Sequence, residues 1–212
     1  MSRGSARWVL FFDNHVDRLP FGRFEHHFAI QIGARAAHPV QKHHSPCDQH
    51  ETASFDFDSA RISISRALAL KPQDPNACNN LAWLLATGPA PVRDPEKAIE
   101  LAQTAMENDV VSKRSINANT LGVAQYRAGK FQDALEMLKE SLTTQTQESQ
   151  PFDLYFLSMC SSKLGDYIAA RDFFDRAEAL KNQFRSTLPF DQQAELDEFS
   201  TEAKSLLSQS DL

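Results

Sequence analysis

Asn117-Ala-Asn-Thr-Leu121-Gly122-Val-Ala-Gln-Tyr126-Arg-Ala-Gly129-Lys-Phe131-Gln-Asp-Ala134-Leu-Glu-Met-Leu138-Lys-Glu-Ser141-Leu142, with the polar run that follows to Gln147, decides the fold. It divides at Ala128-Gly129-Lys130 into two short amphipathic halves. Gly129 suits a left-handed helix end, where a Cβ is penalised. After it, Phe131, Ala134, Leu135, Leu138 and Leu142 fall on one helical face. In the first half Gly122 sits where a glycine weakens a helix, which implies a second helix passing close by. The stretch therefore reads as a helical hairpin.

The hairpin recurs. Ala134 has Ala98 36 residues before it and Ala170 36 after it, and Ser141 stands likewise between Ala105 and Ala177. Gly129-Lys130-Phe131 returns as Gly165-Asp166-Tyr167, and Leu121-Gly122 as Leu157-Ser158 and, 40 residues earlier, Leu81-Ala82. A fixed period in this range indicates a solenoid. At these positions the chain resembles the tetratricopeptide repeat family. The matching residues are Asn119 to Ala124, Gly129-Lys130-Phe131, Ala134 and Leu142, with Ala118, Cys78 and Leu154 where that family favours Trp, and Ser141 where it favours Ala. Asn79 to Thr87 with Arg93-Asp94-Pro95, Asn119 to Gly129, and Phe152-Asp153 with Phe156-Leu157 and Met159 are similar, more narrowly, to arrays appended to bacterial serine/threonine protein kinases. The chain holds no glycine-rich phosphate loop, no His-Arg-Asp and no Asp-Phe-Gly, so kinase activity does not carry over.

The expected fold is an all-α solenoid. It comprises a half-repeat over 57–72, hairpins over 74–109, 114–146 and 151–184, and a capping helix over 189–208. That last helix carries Leu196, Phe199, Ala203, Leu206 and Leu207, with acidic and polar residues on its other face. A solenoid needs such a cover for its final hairpin. Asp74-Pro75 and Asp94-Pro95 are helix starts, a capping carboxylate followed by proline at the first helical position.

Residues 1–56 differ from the rest. They hold all seven histidines (His15, His26, His27, His38, His43, His44 and His50) and no sustained period, so poor order is expected there. The window preceding Phe57 lacks the apolar stripe a first helix needs, which suggests a truncated array or a misassigned start. His43-His44-Ser-Pro-Cys47-Asp-Gln-His50 carries ligand types for zinc or copper. Pro46 interrupts it and no matching half exists, so adventitious binding is the expectation and no metal or cofactor is assigned. The rival is a metal-binding module carried on the repeats.

A net charge of −6 argues against nucleic acid, because no basic surplus exists to neutralise phosphates. The apolar run Trp8 to Phe12 is too short to span a membrane or to form a good signal core, which places the protein in the cytoplasm. Cys47, Cys78 and Cys160 are scattered and odd in number, unlike a disulfide framework. No catalytic set converges, so an enzyme is not expected.

In the resembled family, the first helices of stacked hairpins line a groove for peptides or partner helices. The resemblance implies a protein or peptide partner and a groove built from Asn79, Trp83, Asn119, Val123, Tyr126, Arg127, Tyr155, Met159 and Lys163. Asn amides suit a peptide backbone, aromatic and Met side chains supply apolar contact, and Arg127 and Lys163 suit a carboxylate. Each has an alternative. Trp83 and Met159 also suit packing between hairpins, and Arg127 and Lys163 also suit the negative end of a helix dipole. A further rival is a fragment of a larger kinase-linked scaffold. The oligomeric state is open.

Overall fold

In the first hairpin, entry to both helices is set by a carboxylate. The computed structural model describes residues 57–109 and 113–209. The expectations for residues 1–56 (poor order, a missing first helix, the histidine cluster) lie outside the described residues. Asp74 accepts a hydrogen bond from the Ala77 amide at 3.0 Å and starts α2 (Pro75–Thr87). Asp94 accepts one from Lys97 at 3.1 Å and starts α3 (Pro95–Asn108). Before them lies α1 (Phe57–Leu70). After them come α4 (Arg114–Arg127), α5 (Phe131–Thr144), α6 (Gln150–Lys163), α7 (Tyr167–Phe184), a 3-10 turn (Arg185–Thr187) and α8 (Phe190–Gln209). No strand occurs among the described residues.

The chain is an α-α solenoid of tetratricopeptide-like hairpins. α2 packs on α3, α4 on α5 and α6 on α7; α3 meets α4 and α5 meets α6 between hairpins, and the first helices α2, α4 and α6 also touch in succession. α1 packs on α2 without a hairpin partner among the described residues. The turns at Gly129 and Gly165 have φ of +78° and +84°. Their left-handed backbone lets the Lys130 amide reach the Gln125 carbonyl and the Asp166 amide reach the Ser161 carbonyl, both at 2.9 Å, closing the ends of α4 and α6.

Small residues set the hairpin spacing. An ideal Cβ on Gly122 would lie 2.6 Å from Leu138 Cγ and 3.3 Å from the Ala134 carbonyl oxygen, so α4 and α5 touch there. Ala98, Ala134 and Ala170 are fully buried on the second helices. Ser158 stands in the place of Gly122 one repeat on and donates to the Ala170 carbonyl at 2.7 Å. Ser141 replaces the family's alanine and donates to the Ser115 carbonyl at 2.9 Å, so its hydroxyl is satisfied in the core.

α8 is the capping helix. Leu196, Phe199, Ala203 and Leu207 form its buried stripe, and it packs on α6 and α7. No helix among the described residues is long and apolar enough to cross a membrane.

Candidate functional site

The first helices present one continuous face, and α8 lies on it. From α2, the Trp83 indole donates through Nε1 to Glu195 Oε1 at 2.9 Å, and its ring meets the Phe199 ring edge-on with centroids 6.2 Å apart. From α4, Arg127 grips Glu202 in bidentate fashion, Nη1 to Oε1 at 2.5 Å and Nη2 to Oε2 at 2.8 Å. The same guanidinium stacks 5.4 Å from the Tyr126 ring centroid and 5.3 Å from that of Phe156. From α6, Phe152 and Phe156 close on Phe199, at 6.4 Å and 4.8 Å between centroids. Phe199 thus sits in an aromatic cluster drawn from the first and third hairpins, flanked by two held carboxylates.

A second set of polar contacts fastens α8 to α7. Ser200 donates to Glu178 at 2.5 Å, and Arg185 holds Asp197 through both amino groups at 3.0 and 2.9 Å. Lys181 lies between Glu178 and Asp197, at 3.0 and 3.4 Å. Burial works against ionisation of Glu178, yet hydrogen bonds from Ser200, Tyr155 and Lys181 hold its carboxyl below the usual range.

The residues assigned from sequence to an open groove fall into three groups. Trp83 and Arg127 meet α8 directly. Asn79, Asn119, Val123, Tyr126, Tyr155 and Met159 are buried beneath it or between helices. Lys163, at the end of α6, is exposed. Tyr155 is fully buried, its hydroxyl donating to Glu178 at 2.5 Å and its ring against Phe174 at 6.0 Å. This burial follows from α6 being covered by α5, α7 and α8 together, which leaves little of it off the buried stripe. Asn119 donates to Asp153 at 2.8 Å, wholly inside the fold. Both side-chain polar atoms of Asn79 are buried without a hydrogen-bond partner among the described residues.

The sequence reading did not find Glu195 and Glu202. It placed the acidic residues of α8 on a solvated face, and the structure corrects this: these two point at the first helices. The available signal was their spacing, four before and three after Phe199, which puts all three on one helical face. Asp153 was also missed as a buried group, because it stands near a helix start where an acid is ordinary.

Two carboxyls are shifted strongly. Burial pushes Asp153 up to about 7, against the opposing hydrogen bonds of Asn119 and Ser141. Glu195 is pushed up to about 8, first by desolvation of a carboxyl enclosed by protein atoms although the residue keeps some exposed surface. The Trp83 N–H opposes that shift, and the nearby Asp191 and Glu198 add to it. Burial also raises Tyr126, helped by the Glu202 carboxylate, and pushes the Cys160 thiol up to about 12. Among the described residues no group of three or more His, Cys, Asp or Glu is placed to hold a metal ion. The arrangement can hold an amphipathic helix, with Trp83 and Arg127 engaged in that task.

No protein-family model matches the chain, and no curated protein matches it. Among solved structures it is similar to a crystal structure of MamA protein, with 16% identity, a TM-score of 0.50 and coverage of 88% of this chain and 90% of that one. A second MamA crystal structure gives 15% identity and a TM-score of 0.50 over 79% of this chain and 98% of that one. At such identities the likeness shows the fold, that of a tetratricopeptide-like helical repeat.

Proposed function

We propose that the protein is a non-catalytic interaction scaffold of the cytoplasm, and that the face of α2, α4 and α6 is where it holds a protein partner. One observation carries this reading. The face already holds a helix, through an indole donor, a bidentate arginine and an aromatic cluster, the side-chain types that dominate protein interfaces. The net charge of −6 favours a protein over a nucleic acid. The narrower likeness to kinase-appended arrays rests on the motif residues alone.

Affinity capture with the full chain as bait tests the proposal, read by mass spectrometry against an Arg127→Glu chain of equal helicity. The expected result is a protein enriched by the natural chain and lost with the variant. Equal capture by both chains, or no enriched protein, contradicts the reading.

A further inference from the structure

α8 meets the first helices as a ligand would. Its contacts come from side chains of all three hairpins: Trp83 on α2, Arg127 on α4, Phe152 and Phe156 on α6. The chain connection from α7 to it is short, Arg185–Thr187, Leu188 and Pro189. Arg127 is the decisive group. Its side chain is only 10% exposed and its guanidinium lies among aromatic rings. With α8 withdrawn, the Arg127 fork would face the site beside the Tyr126 and Phe156 rings, a geometry that suits another carboxylate.

We propose that α8 is the resident occupant of an exchangeable helix site, and that the incoming partner is an amphipathic helix of the same chemistry. That helix presents an aromatic side chain four residues after one carboxylate and three residues before another. The two carboxylates lie two turns apart, about 10.5 Å along the axis. The first accepts from the Trp83 indole, the aromatic ring enters between Trp83, Phe152 and Phe156, and the second takes the Arg127 fork. The charge requirement also sets specificity: a basic helix meets Arg127 as a like charge and is rejected. The inference rests on the interaction-scaffold reading and adds to it the partner's chemistry and the competition with α8. A chain open about one part in a hundred binds a partner about a hundredfold more weakly than one always open.

The test uses the full chain and a fluorescein-labelled synthetic peptide copying residues 189–209, followed by fluorescence anisotropy. The chain carrying Phe199→Ala and Glu202→Ala should seat its own α8 more weakly, and it is expected to bind the probe roughly tenfold or more tightly than the natural chain. Adding Arg127→Glu should abolish that gain, and a probe carrying Glu202→Arg should restore it. A released chain of natural helicity that binds the probe no better than the natural chain overturns the proposal.

Hydrogen exchange on the natural chain decides the matter if the released chain does not fold. Amides of α8 exchanging roughly tenfold or more faster than those of α6 support an opening α8, whereas common exchange overturns it. Dimers of the natural chain that trade α8 between copies also overturn it, since the occupant is then a second copy. Partner capture with no probe exchange leaves the scaffold reading standing with α8 fixed; probe exchange with no captured partner sinks the scaffold reading alone.

Discussion

Gly122 and Ser158 do the same job one repeat apart, and each admits a different amount of matter. At Gly122 the space beyond the backbone is already filled by Leu138, which is fully buried. Gly122→Ala should therefore cost about 1–3 kcal/mol in urea unfolding, because Leu138 and α5 must shift to make room. Unchanged stability would contradict the close approach of α4 and α5. Asp153 has a signature in pH. Its folded value of about 7 lies above its ordinary 3.8, so the fold keeps a proton that the unfolded chain releases. Stability should then fall as pH rises from about 4 to about 7, by at most about 1.4 kcal/mol per unit, and level off above. Glu195 acts with the same sign, from 4.5 up to about 8. Asp74, Glu178 and Asp197 are held low and oppose the trend only in stronger acid, so stability should peak near about pH 4. Asp153→Asn should flatten part of the slope in a pH series of melting curves; an unaltered slope would contradict its buried ionisation. Gly122, Gly129 and Ala134 were legible in the sequence because backbone approach and turn geometry admit few residue types. Asp153 was not, since an acid inside a helix looks the same whether it faces water or Asn119.

At the scale of the element, each helix is legible to the degree that its signal is local. Asp74, Asp94 and Asp166 cap the helices that follow them, and each accepts a backbone amide three residues on. Asp166→Ala should cost about 1 kcal/mol, seen as a lower urea midpoint with an unchanged slope. The existence and apolar stripe of α8 were equally legible, from Leu196, Phe199, Ala203 and Leu207. Its seat was not. The Trp83–Glu195 hydrogen bond joins residues 112 apart and the Arg127–Glu202 pair joins residues 75 apart, and no local period encodes either. Cutting α8 loose should therefore be felt far along the chain. Leu196→Ala, at a fully buried position, should cost about 2–5 kcal/mol and change the Trp83 environment through loss of the α8 seat.

The described residues form a short solenoid whose last helix lies across its first helices. In an open array each hairpin touches only its neighbours, and stability is close to a sum of repeat and interface terms. Here α8 links the first hairpin to the third directly, through Trp83 and Phe199, so the ends are coupled beyond nearest neighbours. Of the residues expected to line a groove, Trp83 and Arg127 hold α8. That α8 lies on this face is the central claim, and a double-mutant cycle between Arg127→Glu and Glu202→Arg in the full chain tests it most directly. Each single variant should destabilise the fold by leaving like charges face to face. The double variant should recover part of that loss, with a coupling energy of about 1 kcal/mol or more in urea unfolding. Additive losses, with no coupling between the two positions, would contradict the seat of α8 on the first helices.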